Sequence, residues 1–136
     1  MMNASIPVIV VDWGADEPVY AQIARQIRVL IASGELPAGS VLPSVRSIAS
    51  DLGVNLNTVA RAYRMLEEER FVEIRDRAGV TVAPPARKAE GVAIERLIED
   101  LGSVLARMRQ AGLSNSELRR RVEQALAFLE ARGEKG

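Results

Sequence analysis

The stretch Val54-Asn55-Leu56-Asn57-Thr58-Val59-Ala60-Arg61-Ala62-Tyr63-Arg64-Met65-Leu66 decides how the rest of the chain reads. Its apolar residues Val59, Ala62, Tyr63 and Leu66 recur at the i, i+3, i+4, i+7 spacing of a helix with one buried face. The opposite face carries Asn57, Thr58, Arg61 and Arg64, with no acid before Glu67. Asn55 suits the N-cap, where its side-chain oxygen can accept from a free first-turn amide. A shorter helix precedes it, with Ile48, Ala49 and Leu52 on one face, and only Gly53-Val54-Asn55 lies between the two. Two short helices joined by a tight glycine turn, the second bearing amides and guanidiniums outside, predict a helix-turn-helix. Asn and Arg can each make paired hydrogen bonds to adenine and guanine edges, and Arg also binds phosphate. A polar outer face is ordinarily no more than a solvated one, so the flanking sequence has to decide.

Downstream, two β-rich runs, Phe71-Val72-Glu73-Ile74-Arg75 and Val80-Thr81-Val82-Ala83, flank Asp76-Arg77-Ala78-Gly79. Such runs around a glycine turn predict a hairpin. Upstream, a helix is expected over residues 18–33, with Pro18 at its first position, an apolar stripe of Tyr20, Ile23, Ala24, Ile27, Leu30 and Ile31, and Gly34 to end it. The segment at residues 35–43, rich in Pro and Gly, reads as a loop, after which Ser44 caps the second helix and places Arg46 in its first turn. A guanidinium there opposes the helix dipole, which points to a phosphate as its partner. Three helices followed by a hairpin make a winged helix-turn-helix, and Pro84-Pro85 closes it. Before it, residues 1–16 hold a β-branched run interrupted by Pro7, read as an edge strand or extended arm, with Trp13 as a packing anchor.

These residues also carry a family resemblance. Pro18-Val19-Tyr20-Ala21-Gln22-Ile23, Ile31-Ala32-Ser33-Gly34-Glu35-Leu36, Gly39, Leu42-Pro43-Ser44-Val45-Arg46, Leu52-Gly53-Val54 and Asn57-Thr58-Val59-Ala60-Arg61-Ala62-Tyr63 together resemble the DNA-binding domain of the GntR family over residues 17–83. The Asn-Thr-Val-Ala-Arg-Ala-Tyr form with a short helical tail resembles its YtrA-type subfamily. The resemblance implies a winged helix that binds operator DNA and a tail that makes a dimer. It implies DNA contacts by Arg46, Asn57, Thr58, Arg61 and Gly79; Arg64, Arg75 and Arg77 join them from face and turn geometry alone. Two positions where many members carry arginine hold Leu56 and Ala60, and the wing keeps only Gly79 of the usual glycine-rich pattern.

The tail is expected to form two helices over residues 87–132. The first, residues 89–111, places Ile94, Leu97, Ile98, Leu101, Val104, Leu105 and Met108 in one stripe. Ser114-Asn115-Ser116-Glu117 has the Ser-x-x-Glu form of a capping box and opens the second, which carries Leu118, Val122, Leu126 and Leu129. The first stripe holds more apolar surface than one short partner helix covers. A second copy of the chain is the natural source of the rest.

Composition sets outer bounds. The 136 residues are 48 % hydrophobic, contain neither Cys nor His, and balance 18 basic against 18 acidic side chains. Disulfides, thiolate metal sites and histidine general bases are thereby excluded. No run approaches a membrane span and residues 6–11 are too short for a signal peptide, so a cytoplasmic protein is expected. Net neutrality weighs against nucleic-acid binding, but residues 44–64 hold three arginines against one aspartate, a local balance of +2. The expectation is mainly α with a small β-hairpin: an arm at residues 1–16, a winged helix-turn-helix at 17–84 and a dimerising helical hairpin at 87–132. Function follows as a homodimeric, non-enzymatic repressor on inverted-repeat operators in double-stranded DNA, without cofactor, with room for a small-molecule effector of unidentified chemistry. The alternative is a winged helix for protein–protein docking, without specific DNA binding.

Overall fold

The computed structural model describes residues 9–75, 79–85 and 92–133. The elements run α1 (Val19–Ala32), β1 (Val41–Leu42), α2 (Val45–Leu52), α3 (Leu56–Glu68), β2 (Val72–Arg75), β3 (Gly79–Val82), α4 (Val92–Gln110) and α5 (Asn115–Gly133). The apolar stripes of the first three helices meet in one core. Ile23, Ala24 and Ile27 of α1, Ile48 and Ala49 of α2, and Val59, Ala62, Tyr63 and Leu66 of α3 are buried there with Val72, Val80 and Val82 of the hairpin. Full burial of each large aliphatic side chain contributes about 1.5–3 kcal/mol, so α3 is held by its inner face and its outer face is free.

The caps form as expected. The Ser44 hydroxyl accepts from the Ser47 amide at 3.0 Å, and the Asn55 side chain accepts from the Asn57 amide at 2.7 Å. Between them Gly53 adopts φ +67°, a left-handed conformation that lets the chain reverse within three residues. In α5, the Ser114 amide donates to Glu117 Oε2 at 3.0 Å and the Glu117 amide donates to Ser114 Oγ at 3.3 Å, a complete capping box. Pro18 departs by one position: with ψ 150° it is the N-cap of α1, and Val19 is the first helical residue.

A second departure is in the segment read as a loop. Val41 and Leu42 form a strand that pairs antiparallel with β3, making a three-stranded sheet in the order β1-β3-β2. Two residues are too few to show a period, yet burying Leu42 demands that the adjoining backbone be hydrogen-bonded. It is: the Val82 amide donates to the Ser40 carbonyl and the Gly39 amide to the Val82 carbonyl, both at 2.9 Å. The expected hairpin pairs Val72 with Val82, Glu73 with Thr81, Ile74 with Val80 and Arg75 with Gly79.

The described part of the N-terminal segment is an arm. Its contacts explain why Trp13 is 67 % exposed instead of a packing anchor. Ile9 enters the core, and two glutamines of α1 hold the backbone that follows. Gln26 accepts from the Val10 amide at 3.0 Å and donates to the Val10 carbonyl at 2.8 Å. Gln22 accepts from the Asp12 amide at 2.8 Å and donates to the Asp12 carbonyl at 3.0 Å. The Asp12 carboxylate then accepts from the Gly14 amide at 3.0 Å, turning the chain there. The tryptophan ring sits outside the packed arm. The start of the tail helix at residues 89–91 lies outside the described residues.

Candidate nucleic-acid interface

Helix α3 divides sharply by face. Val59, Ala62, Tyr63 and Leu66 have no exposure, whereas Asn57, Arg61 and Arg64 are exposed and Thr58 is half-buried. Three contacts fix the helix from three sides. Tyr63 Oη donates to the Pro43 carbonyl at 2.6 Å, joining α3 to the chain entering α2. Arg28 of α1 donates to Glu69 at 2.8 and 3.1 Å, just past the end of α3. Glu67 Oε2 accepts from the Ile74 amide at 3.2 Å, tying α3 to β2. Glu67 and Glu69 at the far end of α3 thus serve the scaffold, while its exposed face before them carries Leu56, Asn57, Arg61 and Arg64 and no acid.

Arg25, Arg28 and Arg75 are ion-paired with Glu17, Glu69 and Glu73. Arg46 and Arg64 have no hydrogen-bond or ion-pair partner among the described residues, and both are exposed. The same holds for Arg61, whose Cζ lies 3.9 Å from the centroid of the Tyr20 ring. Arg75, on the wing, donates to Glu73 at 2.9 Å; the pair is solvent-exposed, so it is worth about 0–1 kcal/mol and is readily exchanged for another partner. Gly79 pairs with Arg75 at φ +81°, a conformation that side-chain-bearing residues rarely adopt. Arg77 lies outside the described residues.

Of the residues expected at a subunit interface, those on α4 lie largely uncovered in the single chain. Leu97, Ile98 and Leu101 are 61, 60 and 53 % exposed; Ile94 and Val104 are also exposed, and Leu105 and Met108 are half-buried. On α5, Leu118 is buried, Val122 and Leu129 are half-buried and Leu126 is exposed. The hairpin of the tail therefore does not cover its own stripe. Helix α5 packs against α1 as well as α4.

Two site features escaped sequence reasoning. Tyr20 counted only as part of the stripe of α1, and it stands under Arg61. Gln22 and Gln26 gave a faint signal, two uncharged amides at i and i+4 beside an apolar stripe, and they position the arm.

The family described as bacterial regulatory proteins, gntR family, matches residues 19–82. The chain is 45 % identical over 73 residues to the HTH-type transcriptional regulator Rv1152 of Mycobacterium tuberculosis, an alignment covering 54 % of this chain and 60 % of that protein. It is 30 % identical over 122 residues to the HTH-type transcriptional repressor YtrA of Bacillus subtilis, covering 88 % of this chain and 93 % of that one. Among solved structures, YtrA from Sulfolobus acidocaldarius, a GntR-family transcription factor, is similar with a TM-score of 0.59 at 39 % identity, over 74 % of this chain and 99 % of that one.

Proposed function

The chain belongs to the GntR family of bacterial regulatory proteins, as a YtrA-type transcription regulator that binds DNA, and we propose that it acts as a homodimeric repressor on inverted-repeat operators. The observation that carries this reading is the outer face of α3, where Asn57, Arg61 and Arg64 are exposed and neither guanidinium is paired with an acid among the described residues. On this reading α3 lies in the major groove, with Asn57, Thr58, Arg61 and Arg64 toward the bases and flanking phosphates. Arg46 meets a phosphate at the start of α2. The wing adds Arg75, Arg77 and Gly79 at the flanking backbone.

Residues 17–84 form the reading unit in this proposal and residues 87–132 the dimer unit. Support for the dimer comes from the uncovered stripe of α4, since contiguous exposed apolar surface of this kind marks an interaction site. A repressor role is supported by the similarity to the YtrA repressor of Bacillus subtilis. No described helix is long and apolar enough to cross a membrane, and we place the protein in the cytoplasm with the DNA it regulates.

Selection of bound sites from a randomised DNA pool tests the proposal. Two reading units related by a two-fold axis should select inverted repeats whose half-site centres lie one helical turn apart, about 34–36 Å, or a multiple of it. Short unrepeated sites would overturn the dimer.

A further inference from the structure

The three ion-paired arginines and Arg61 solve different problems. Arg28 also lies near an aromatic ring, 5.8 Å from the centroid of Phe71, but its Nε and Nη2 donate to Glu69. That arginine joins two helices. Arg61 sits much closer to its ring, at 3.9 Å, and among the described residues it donates no hydrogen bond. The ring attracts the cation through its quadrupole without consuming a donor. A carboxylate in the same place would have neutralised the guanidinium and taken two of its five N–H groups.

The platform itself is fixed. Tyr20 is the second residue of α1, half-buried, and packed against the core. Its hydroxyl has no hydrogen-bond partner among the described residues, so the ring and not the phenol oxygen is what Arg61 uses. A free arginine loses side-chain entropy when it docks, and a guanidinium already seated on a rigid ring has lost part of it beforehand. Arg61 itself lies on the exposed face of α3, one turn from Asn57 and one from Arg64.

We propose that Tyr20 is a positioning residue of the DNA interface: its ring holds the Arg61 guanidinium so that the free N–H edge meets a pair of acceptor atoms on the DNA. The acceptors are the O6 and N7 of a guanine or two oxygens of a phosphate, which share the same forked geometry. The inference rests on the reading that α3 faces DNA.

The test is a gel shift on the selected operator with the full chain. Tyr20→Phe keeps the ring and should bind as the parent does. Tyr20→Leu keeps apolar bulk without a π face, and the affinity should fall between about 2- and 30-fold per half-site. A phenylalanine with three ring fluorines at position 20 keeps the shape and withdraws the π charge. It should bind more weakly than Tyr20→Phe, and it stands as the test if Tyr20→Leu does not fold. In an Arg61→Ala background all three side chains should give one affinity. A loss confined to sites with guanine at one position assigns the base edge. An equal loss on all sequences, with the salt slope lowered by about one, assigns the phosphate. The proposal is overturned if the fluorinated ring binds as Tyr20→Phe does, or if the losses at Tyr20 persist undiminished in Arg61→Ala. A parent chain that shifts no DNA at low salt would instead overturn the reading on which it rests.

Discussion

The hydroxyl of Tyr63 donates to the carbonyl of Pro43 at 2.6 Å, and this bond crosses from the middle of α3 to the residue before the cap of α2. Proline leaves its own carbonyl as the one backbone group that can be bonded there. The ring of Tyr63 is fully buried in the core, so the bond fixes the angle between α2 and α3 from inside. That angle sets where Arg46 stands relative to Asn57 and Arg64.

Tyr63→Phe should therefore lower stability by about 1 kcal/mol, the net value of a hydrogen bond of this kind, measured by urea denaturation. It should also change the alkaline limb. Burial pushes the Tyr63 phenol above its ordinary value, while the unfolded chain releases that proton near pH 10. Above about pH 10 the unfolded state binds fewer protons than the folded one, so stability falls as pH rises; below it this group adds no slope. The phenylalanine variant should show a shallower alkaline decline than the parent. Parallel curves would mean that Tyr63 does not report the fold.

The glutamine clamp makes a separate prediction. Gln22→Met keeps length and removes both hydrogen-bonding ends, leaving the Asp12 amide and the Glu17 carbonyl without this partner and the Asp12 carbonyl with the Ala15 amide alone. Loss of bonds to such part-buried groups costs roughly 1–3 kcal/mol. The arm should loosen first: the Val10 and Asp12 amides should exchange with solvent much faster, while amides of α3 change little. Unaltered exchange at Asp12 would show that Ile9 and Gln26 hold the arm without Gln22.

The inner faces were legible because a helix with a 3.6-residue period writes its burial into the order of residues. Val59, Ala62, Tyr63 and Leu66 are all buried as that period requires. Caps were legible for a similar reason: Ser44, Asn55 and the Ser114–Glu117 pair act on amides two or three residues away. What stayed hidden depends on partners far along the chain. The strand at Val41 and Leu42 exists through pairing with β3, almost forty residues later. Tyr20 and Arg61 meet because α1 and α3 cross at that point, and neither residue announces the other in sequence.

Arg46 offers a contrast to the residues proposed to face the groove. It is exposed in the first turn of α2 with no partner among the described residues, where the helix dipole disfavours a cation. Arg46→Ala should weaken binding to all DNA sequences alike and reduce the salt slope by about one. Fold stability should hold or rise slightly. A change in the selected sequence would mean that Arg46 reaches a base.

Dimerisation through the tail is best tested by a single charge. Removing the whole tail would also strip α5 from α1, so a loss of binding would have two explanations. Leu101 avoids this, because it is 53 % exposed in the single chain and lies mid-helix among Leu97, Ile98 and Val104. In an isolated protomer a glutamate there stays in water and costs little. In an apolar seam it would be desolvated without a partner, which costs far more than the seam returns. Leu101→Glu should therefore keep its helical content yet sediment as a monomer, with its melting temperature lowered only by the lost association. Linking two half-site contacts raises affinity by about 10²–10⁴, and the variant should lose operator affinity within that range while keeping weak non-specific binding. A Leu101→Glu chain that remains dimeric, or that shifts its operator as the parent does, would place the subunit contact elsewhere.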